Sequence, residues 1–347
     1  MSKLQVTVNP QVELLMVVLL TSNYSTLCKP FLGYSIMTEE NTEYVKAIKS
    51  YFKHFSNHKI YRILDEMIPK GFALGAPVDI VLSLGSPPSL EKKRDYSSFA
   101  VERACGKEKV DVFVELLRDF ADKSDFLSFF NENESTYANA LQIFNQGVNR
   151  NQYIEILENF YGREQDSYDI YLTQLSKGSF GFSSKNGSGR LSLYNVCGFM
   201  NNLLKGKSDL EEFLDNILWH EFSHPIINPL TDEYENTIKA PEKIYKKLKT
   251  NNHSWPDYSS LIWKECVNEH VIRAICIFLC RKYISEPIAN KRLDFDIKLG
   301  YTLIPSLLEA IAYYDKNRNL YRCFEDLFME LLDIFNLQEP SYSEYLA

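Results

Sequence analysis

The sequence predicts a predominantly helical α+β fold, on three observations. Apolar residues recur at three- and four-residue spacing through most of the first 164 positions. Two later stretches, SYDIYLTQL and RLSLYNVCGF, are instead rich in β-branched and aromatic residues with partial alternation, the pattern of a small sheet. Beyond residue 207 helical spacing returns and lasts to about residue 336. The expected organisation is a helical N-terminal region, 1–164, and a second region, 165–347, with the sheet and an active-site helix, the two able to pack as one unit. Of the 347 residues 45% are hydrophobic, enough to fill such cores.

In chain order, Asn9-Pro10 reads as a helix start, with the Asn9 side chain as cap and Pro10 in the first position. The apolar run Val12–Leu20 that follows resembles either the core of a secretory signal behind Lys3 or a buried helix. Glu13 interrupts the run and TSNYS beyond it is a poor cleavage site, so a core helix of a cytoplasmic protein is expected, with secretion as the alternative. TEYVKAIKSYFKHF, KIYRILDEMI, EKVDVFVELLRDFADKSDFLSFF and NQYIEILENFYG read as further helices, and Gly85–Ser89 breaks the series. His54 and His58 are four apart but have no acid between them, and read as surface histidines. Between the strands, Ser183–Gly189 reads as an exposed loop.

Ser208-Asp209-Leu210-Glu211 matches a capping box, so another helix should begin there, with Leu210, Phe213, Leu214, Ile217 and Leu218 on its apolar face. Pro225 should bend or stop that helix, because a residue before proline disfavours the α conformation. Ser260–Cys280 is the strongest helical pattern of the C-terminal part, and Cys276 and Cys280 within it read as core.

Composition excludes several classes. A net charge of −8, a pI near 5.4 and the lack of a long Lys/Arg run argue against nucleic-acid binding, which needs a basic face. No run approaches the roughly 20 apolar residues of a membrane span. The seven cysteines form neither CxxC pairs nor a dense framework, so reduced thiols are expected.

The chemistry concentrates in HEFSH, residues 220–224. On a helix, His220 and His224 lie one turn apart and reach one ion together, while Glu221 sits beside them. Zinc held by three protein groups keeps a fourth position for water and makes that water acidic, and a neighbouring carboxylate takes its proton. Glu221 is placed for that role. The bland reading is a surface helix with two solvated histidines, but the amphipathic context and a candidate third ligand favour the metal.

That third ligand must come from elsewhere, since the Gly and His of a metzincin are here Ile227 and Leu230. The stripe Ile262, Cys266, Glu269, Arg273, Cys276, Cys280 places a carboxylate in a mostly apolar row, which is costly unless the carboxylate is paired or metal-bound. Glu269 is the preferred ligand, then Glu265 one turn earlier. His270 points about 100° away from Glu269 on an ideal helix. The competing reading of Glu269 is an ion pair with Arg273.

HEFSH followed by the helix NEHVIRA resembles the gluzincin branch of the zincin metallopeptidases, where two histidines and a glutamate of a later NE helix hold zinc. NPQVELL, HEFSHPIINP, NEHVIRA and KNRNLYRCFEDLF are together similar to a bacterial domain-of-unknown-function family regarded as metallopeptidases. The resemblance implies His220, His224 and Glu269 as zinc ligands, Glu221 as general base, and a peptide or protein as substrate. It also singles out Tyr301 and Tyr321 as oxyanion donors, ahead of His253 and His270. Zincins commonly pair substrate with an edge strand before the HExxH helix, and YDIYLTQLSKGSFGFS is placed for that, although an ordinary hairpin fits it equally. The expected function is a zinc metallopeptidase; the alternative is a non-catalytic helical binding or scaffold protein with a structural or vestigial metal site.

Overall fold

The structure, a computed structural model, describes residues 4–32, 35–145, 150–185, 190–198, 216–237, 242–251 and 260–337. It is predominantly helical with one small mixed sheet, as the sequence predicts. The chain forms two compact units, one of Met1–Val148 with Ser167–Leu210, the other of Asn149–Asp166 with Glu211–Ala347.

In the first unit, β1 (Leu4–Thr7) leads into α1 (Pro10–Thr21). Asn9 Oδ1 accepts from the backbone N–H of Gln11 at 2.9 Å and of Val12 at 3.1 Å, satisfying two of the donors a helix start leaves open. Residues Val12 to Leu19 are all buried, so the apolar run is a core helix surrounded on every side. Further helices pack with it, among them α2 (Tyr24–Leu32), α3 (Glu43–Tyr51), α4 (Lys59–Met67), α5 (Gly75–Leu82), α6 (Ser98–Arg103), α7 (Lys107–Lys123), α8 (Phe126–Glu132) and α9 (Glu134–Asn145). His58, read as a surface histidine, is only 10% exposed: it caps α4 through Nδ1 and meets Asp119 through Nε2 at 3.0 Å, while His54 is exposed as expected.

The sheet runs β1-β2-β4-β3, with β2 (Ser167–Thr173), β3 (Ser179–Lys185) and β4 (Leu191–Gly198). β1 pairs parallel with β2, β2 parallel with β4, and β3 antiparallel with β4. The stretch YDIYLTQLSKGSFGFS therefore supplies a central strand and an edge strand that are not neighbours; the antiparallel pair is β3 with β4. Ser183–Lys185, expected in a loop, finish β3, and residues 186–189 lie outside the described set. The four-residue β1 carried no pattern strong enough to announce a strand.

These contacts draw the unit boundary differently from residue 164. The sheet groups with the N-terminal helices because its β1 comes from residues 4–7 and its β2 hydrogen-bonds to that strand. α10 (Arg150–Tyr161) groups with the second unit, where Trp219 Nε1 donates to the Tyr153 carbonyl at 3.1 Å and Tyr314 Oη to the Phe160 carbonyl at 2.6 Å.

The rest of the second unit comprises a π-helical turn, Asn216–Glu221, continuing into α11 (Phe222–Glu233), then α12 (Glu242–Asn251), α13 (Ser260–Tyr283), α14 (Glu286–Lys298), α15 (Ile304–Lys316) and α16 (Glu325–Leu337). α13 is the central element, packed against α11, α14 and α15. Its Cys276 and Cys280 are buried. Ile217 and Leu218 are buried as expected, whereas the capping box Ser208–Glu211 and its neighbours Leu210, Phe213 and Leu214 lie outside the described residues. Pro225 does not stop the helix, and neither does Pro229. Pro225 falls in the first turn of the α segment, where the missing N–H is least needed, and Pro229 sits on the exposed side.

Candidate metal centre

His220 is the second-last residue of the π turn and His224 lies in the first turn of α11. Single π turns inside α-helices recur at functional sites because they shift the register of the side chains. Here both imidazoles turn to one point, with Nε2 of His220 and Nε2 of His224 only 3.2 Å apart. From α13, Glu269 Oε1 approaches to 3.5 Å from His220 Nε2 and 3.4 Å from His224 Nε2. Among the described residues these three side chains form the group able to share an ion.

The spacing is informative. Ligand atoms at about 2.0–2.1 Å from a tetrahedral zinc lie about 3.3 Å from one another. Separations of 3.2, 3.4 and 3.5 Å thus describe one face of such a tetrahedron. Exposure is low but not zero, at 12% for the His220 side chain, 15% for His224 and 17% for Glu269.

Orientation is fixed by groups behind the ligands. His224 Nδ1 lies 3.2 Å from Asn228 Oδ1, an acceptor set behind the ring, which turns Nε2 toward the cluster. Glu269 Oε2 accepts from Arg273 Nε at 2.9 Å, so the expected ion pair is present together with the cluster. Arg273 Nη1 donates in turn to Asp296 Oδ1 on α14 at 2.8 Å, and its guanidinium lies 4.5 Å from the Tyr301 ring centroid.

The electrostatics follow. Burial pushes the Glu269 carboxyl up, but His220, Arg273 and the hydrogen bonds of the two histidines outweigh it and hold the group well below the usual carboxylate range. Burial pulls His224 down, and the hydrogen bond and charge of Glu269, with Glu221 and Glu265 adding, raise it to about 9. Glu269 thus stays an anion, held by the cationic groups around it.

The other expected residues sort themselves around it. Glu221 is partly exposed beside His220, outside the converging trio, and near enough for its charge to be felt at His224. Glu265 is exposed one turn before Glu269 and does not join the group, which leaves Glu269 as the third member. His270 is fully buried, with Nδ1 2.7 Å from the Cys266 carbonyl and its ring against Tyr301 and Phe335. Tyr301 is 2% exposed and lies behind the cluster, its ring packed on Arg273 and His270 rather than facing an open cleft. Tyr321 donates to Glu330 at 3.1 Å and packs on Tyr313 and Tyr314, so the structure does not bring it to the trio. His253 and the Ile262 side chain lie outside the described residues.

Asp296 and Asn228 were not anticipated. Asn228 was within reach of sequence reasoning, being four residues after His224 on the same helix. Asp296, in RLDFDIK, carries no such signal, because only the packing of α14 on α13 makes it a partner.

Fold and site together define a helical α+β protein with a His-His-Glu cluster built between an HExxH helix and a second, central helix. The chain belongs to the family described as Domain of unknown function (DUF4932), whose match covers residues 4–334. Neither a curated protein nor a solved structure matches it. Among the described residues no helix is long and apolar enough to cross a membrane.

Proposed function

We propose that the protein is a zinc-dependent metallopeptidase of gluzincin-like type. The observation that carries the reading is the convergence of His220 Nε2, His224 Nε2 and Glu269 Oε1 at 3.2–3.5 Å from one another. Two imidazoles and one carboxylate are the donor set of catalytic zinc sites that keep a position open. A divalent ion held there supplies Lewis acidity, which makes water nucleophilic near neutral pH and polarises a carbonyl.

The chain's own residues supply the rest. Glu221, partly exposed and outside the ligand set, is the group free to take a proton from the attacking water and return it to the leaving amine. Asn228 holds the His224 ring with Nε2 toward the cluster. Limited solvent access at the cluster strengthens each of these electrostatic contacts relative to bulk water.

The test is metal analysis joined to peptide hydrolysis. The wild-type protein is expected to hold about one equivalent of zinc, and Glu221→Gln to retain it while hydrolysis of a broad peptide library falls by about 100- to 10,000-fold. Zinc without hydrolysis in the wild type would transfer the site to a structural role, and iron in its place would point to oxygen chemistry.

A further inference from the structure

We propose that Arg273 is a positioning residue, set by Asp296 and Tyr301, that restricts Glu269 to one ligating oxygen. The inference rests on the metal reading above. Carboxylates bind cations through one oxygen or both, and the choice decides how many positions remain for water and substrate. The two oxygens of Glu269 have different surroundings. Oε1 faces both histidine Nε2 atoms at 3.5 and 3.4 Å, whereas Oε2 is turned back and occupied by the Arg273 Nε–H at 2.9 Å. A charge-assisted hydrogen bond of that length competes with any second contact to the ion.

Arg273 is itself held from three directions. Nε bonds Glu269, Nη1 bonds Asp296 at 2.8 Å, and the guanidinium lies 4.5 Å from the centre of the Tyr301 ring. Asp296 and Tyr301 are 5% and 2% exposed, so both partners are more confined than the guanidinium they hold, whose side chain is 27% exposed. They are also joined to each other. α14 ends in a cap where Tyr301 N–H donates to the Asp296 carbonyl at 3.0 Å across Gly300, whose φ is +104°. A Cβ on Gly300 would come within 2.7 Å of the Leu248 Cα, so this turn admits no larger residue without movement. The charge of Asp296 offsets that of Arg273, and Glu269 keeps its own negative charge for the cation.

A planar guanidinium bonds two carboxylates at fixed angles while stacking on a ring; an ammonium does none of these together. Arg273→Lys, Arg273→Gln and Asp296→Asn therefore test the role in the full-length chain. The probes are Co2+ and Zn2+ alone. The visible spectrum of the Co2+ form of the wild type should be that of a low-coordinate site. In Arg273→Lys and Arg273→Gln it should lose intensity as the freed oxygen adds to the ion, and Zn2+ should bind about 10- to 100-fold more weakly. Asp296→Asn, which leaves Arg273 in place, should shift both readouts in the same direction by less. A wild-type Co2+ spectrum and Zn2+ affinity retained within two-fold in all three folded variants would overturn the positioning role while leaving the metal site intact. Failure of the wild type itself to bind either ion better than His220→Ala would overturn both readings.

Discussion

Each unit removes a glutamate from water, Glu13 in the first and Glu269 in the second, and the two end in opposite states. Glu13 is 1% exposed on α1. It accepts from Tyr44 Oη at 2.7 Å, and that hydroxyl also meets Tyr137 Oη at 2.8 Å. Burial raises its carboxyl to about 7, and the hydroxyls of Tyr44 and Thr173 pull it down only in part. Glu269 meets the same penalty, yet two imidazoles and a guanidinium hold it far below the usual range. The difference lies in the partners. A hydroxyl offers a dipole and a cation offers a full charge, so the first environment keeps a proton and the second keeps an anion. Of the two states of a carboxyl group, the anion is the one that serves as a metal ligand.

The largest effects should come from breaking the second environment. Glu269→Ala leaves His220, His224 and Arg273 without the carboxylate they share, in a setting with little solvent. Loss of one partner from such a group costs about 3 kcal/mol, to be read from urea unfolding of the metal-free protein. Zinc affinity should fall by more than about 100-fold in the same variant, beyond the effect of disturbing an outer partner. Retained zinc would move the third-ligand role to Glu265.

Glu13→Gln should act with the opposite sign. The folded carboxyl titrates at about 7 against 4.5 for the free group. Below pH 4.5 both folded and unfolded chains hold the proton, and the group adds no pH dependence. Between pH 4.5 and 7 the unfolded chain ionises while the folded one does not, so stability falls as pH rises and levels off above 7. The size of this loss is on the order of 3 kcal/mol. Glu13→Gln cannot ionise, and it should lack that decline and gain on the wild type between pH 5 and 8. Parallel stability curves for the two proteins would show that Glu13 is not held neutral.

How much of this was legible follows the same division between local and long-range causes. Asn9-Pro10 and its helix were readable because a cap involves neighbours in sequence, and HEFSH was readable because a helix turn brings positions four apart together. Glu269 was readable as an acid in an apolar row. The parallel pairing of residues 4–7 with 168–171 was not, since each strand is short and the partner lies over 160 residues away. Pro225 misled because proline is a helix breaker in general, whereas this one sits in the first turn of the α segment that follows a π turn. Asp296 and the placement of Tyr301 and Tyr321 depend on how α14, α15 and α16 pack, which no local pattern encodes.

The smallest and most direct test is Tyr44→Phe. If burial is what keeps the proton on Glu13, the Tyr44 hydroxyl works against it, because its hydrogen bond favours the anion. Removing the hydroxyl takes away one of the few groups stabilising charge at that point and leaves the cavity lined by Val8, Glu13, Tyr137 and Thr173 more apolar. The Glu13 midpoint, followed by carbon NMR of labelled glutamate, should therefore rise above the wild-type value by less than about one unit, roughly the differential strength of a single neutral donor. The unfolding decline should extend to correspondingly higher pH. A midpoint that instead dropped toward 4.5 would mean that the tyrosine pair, not desolvation, sustains the neutral acid. The contrast between a dipolar and a cationic setting would then no longer account for the two glutamates.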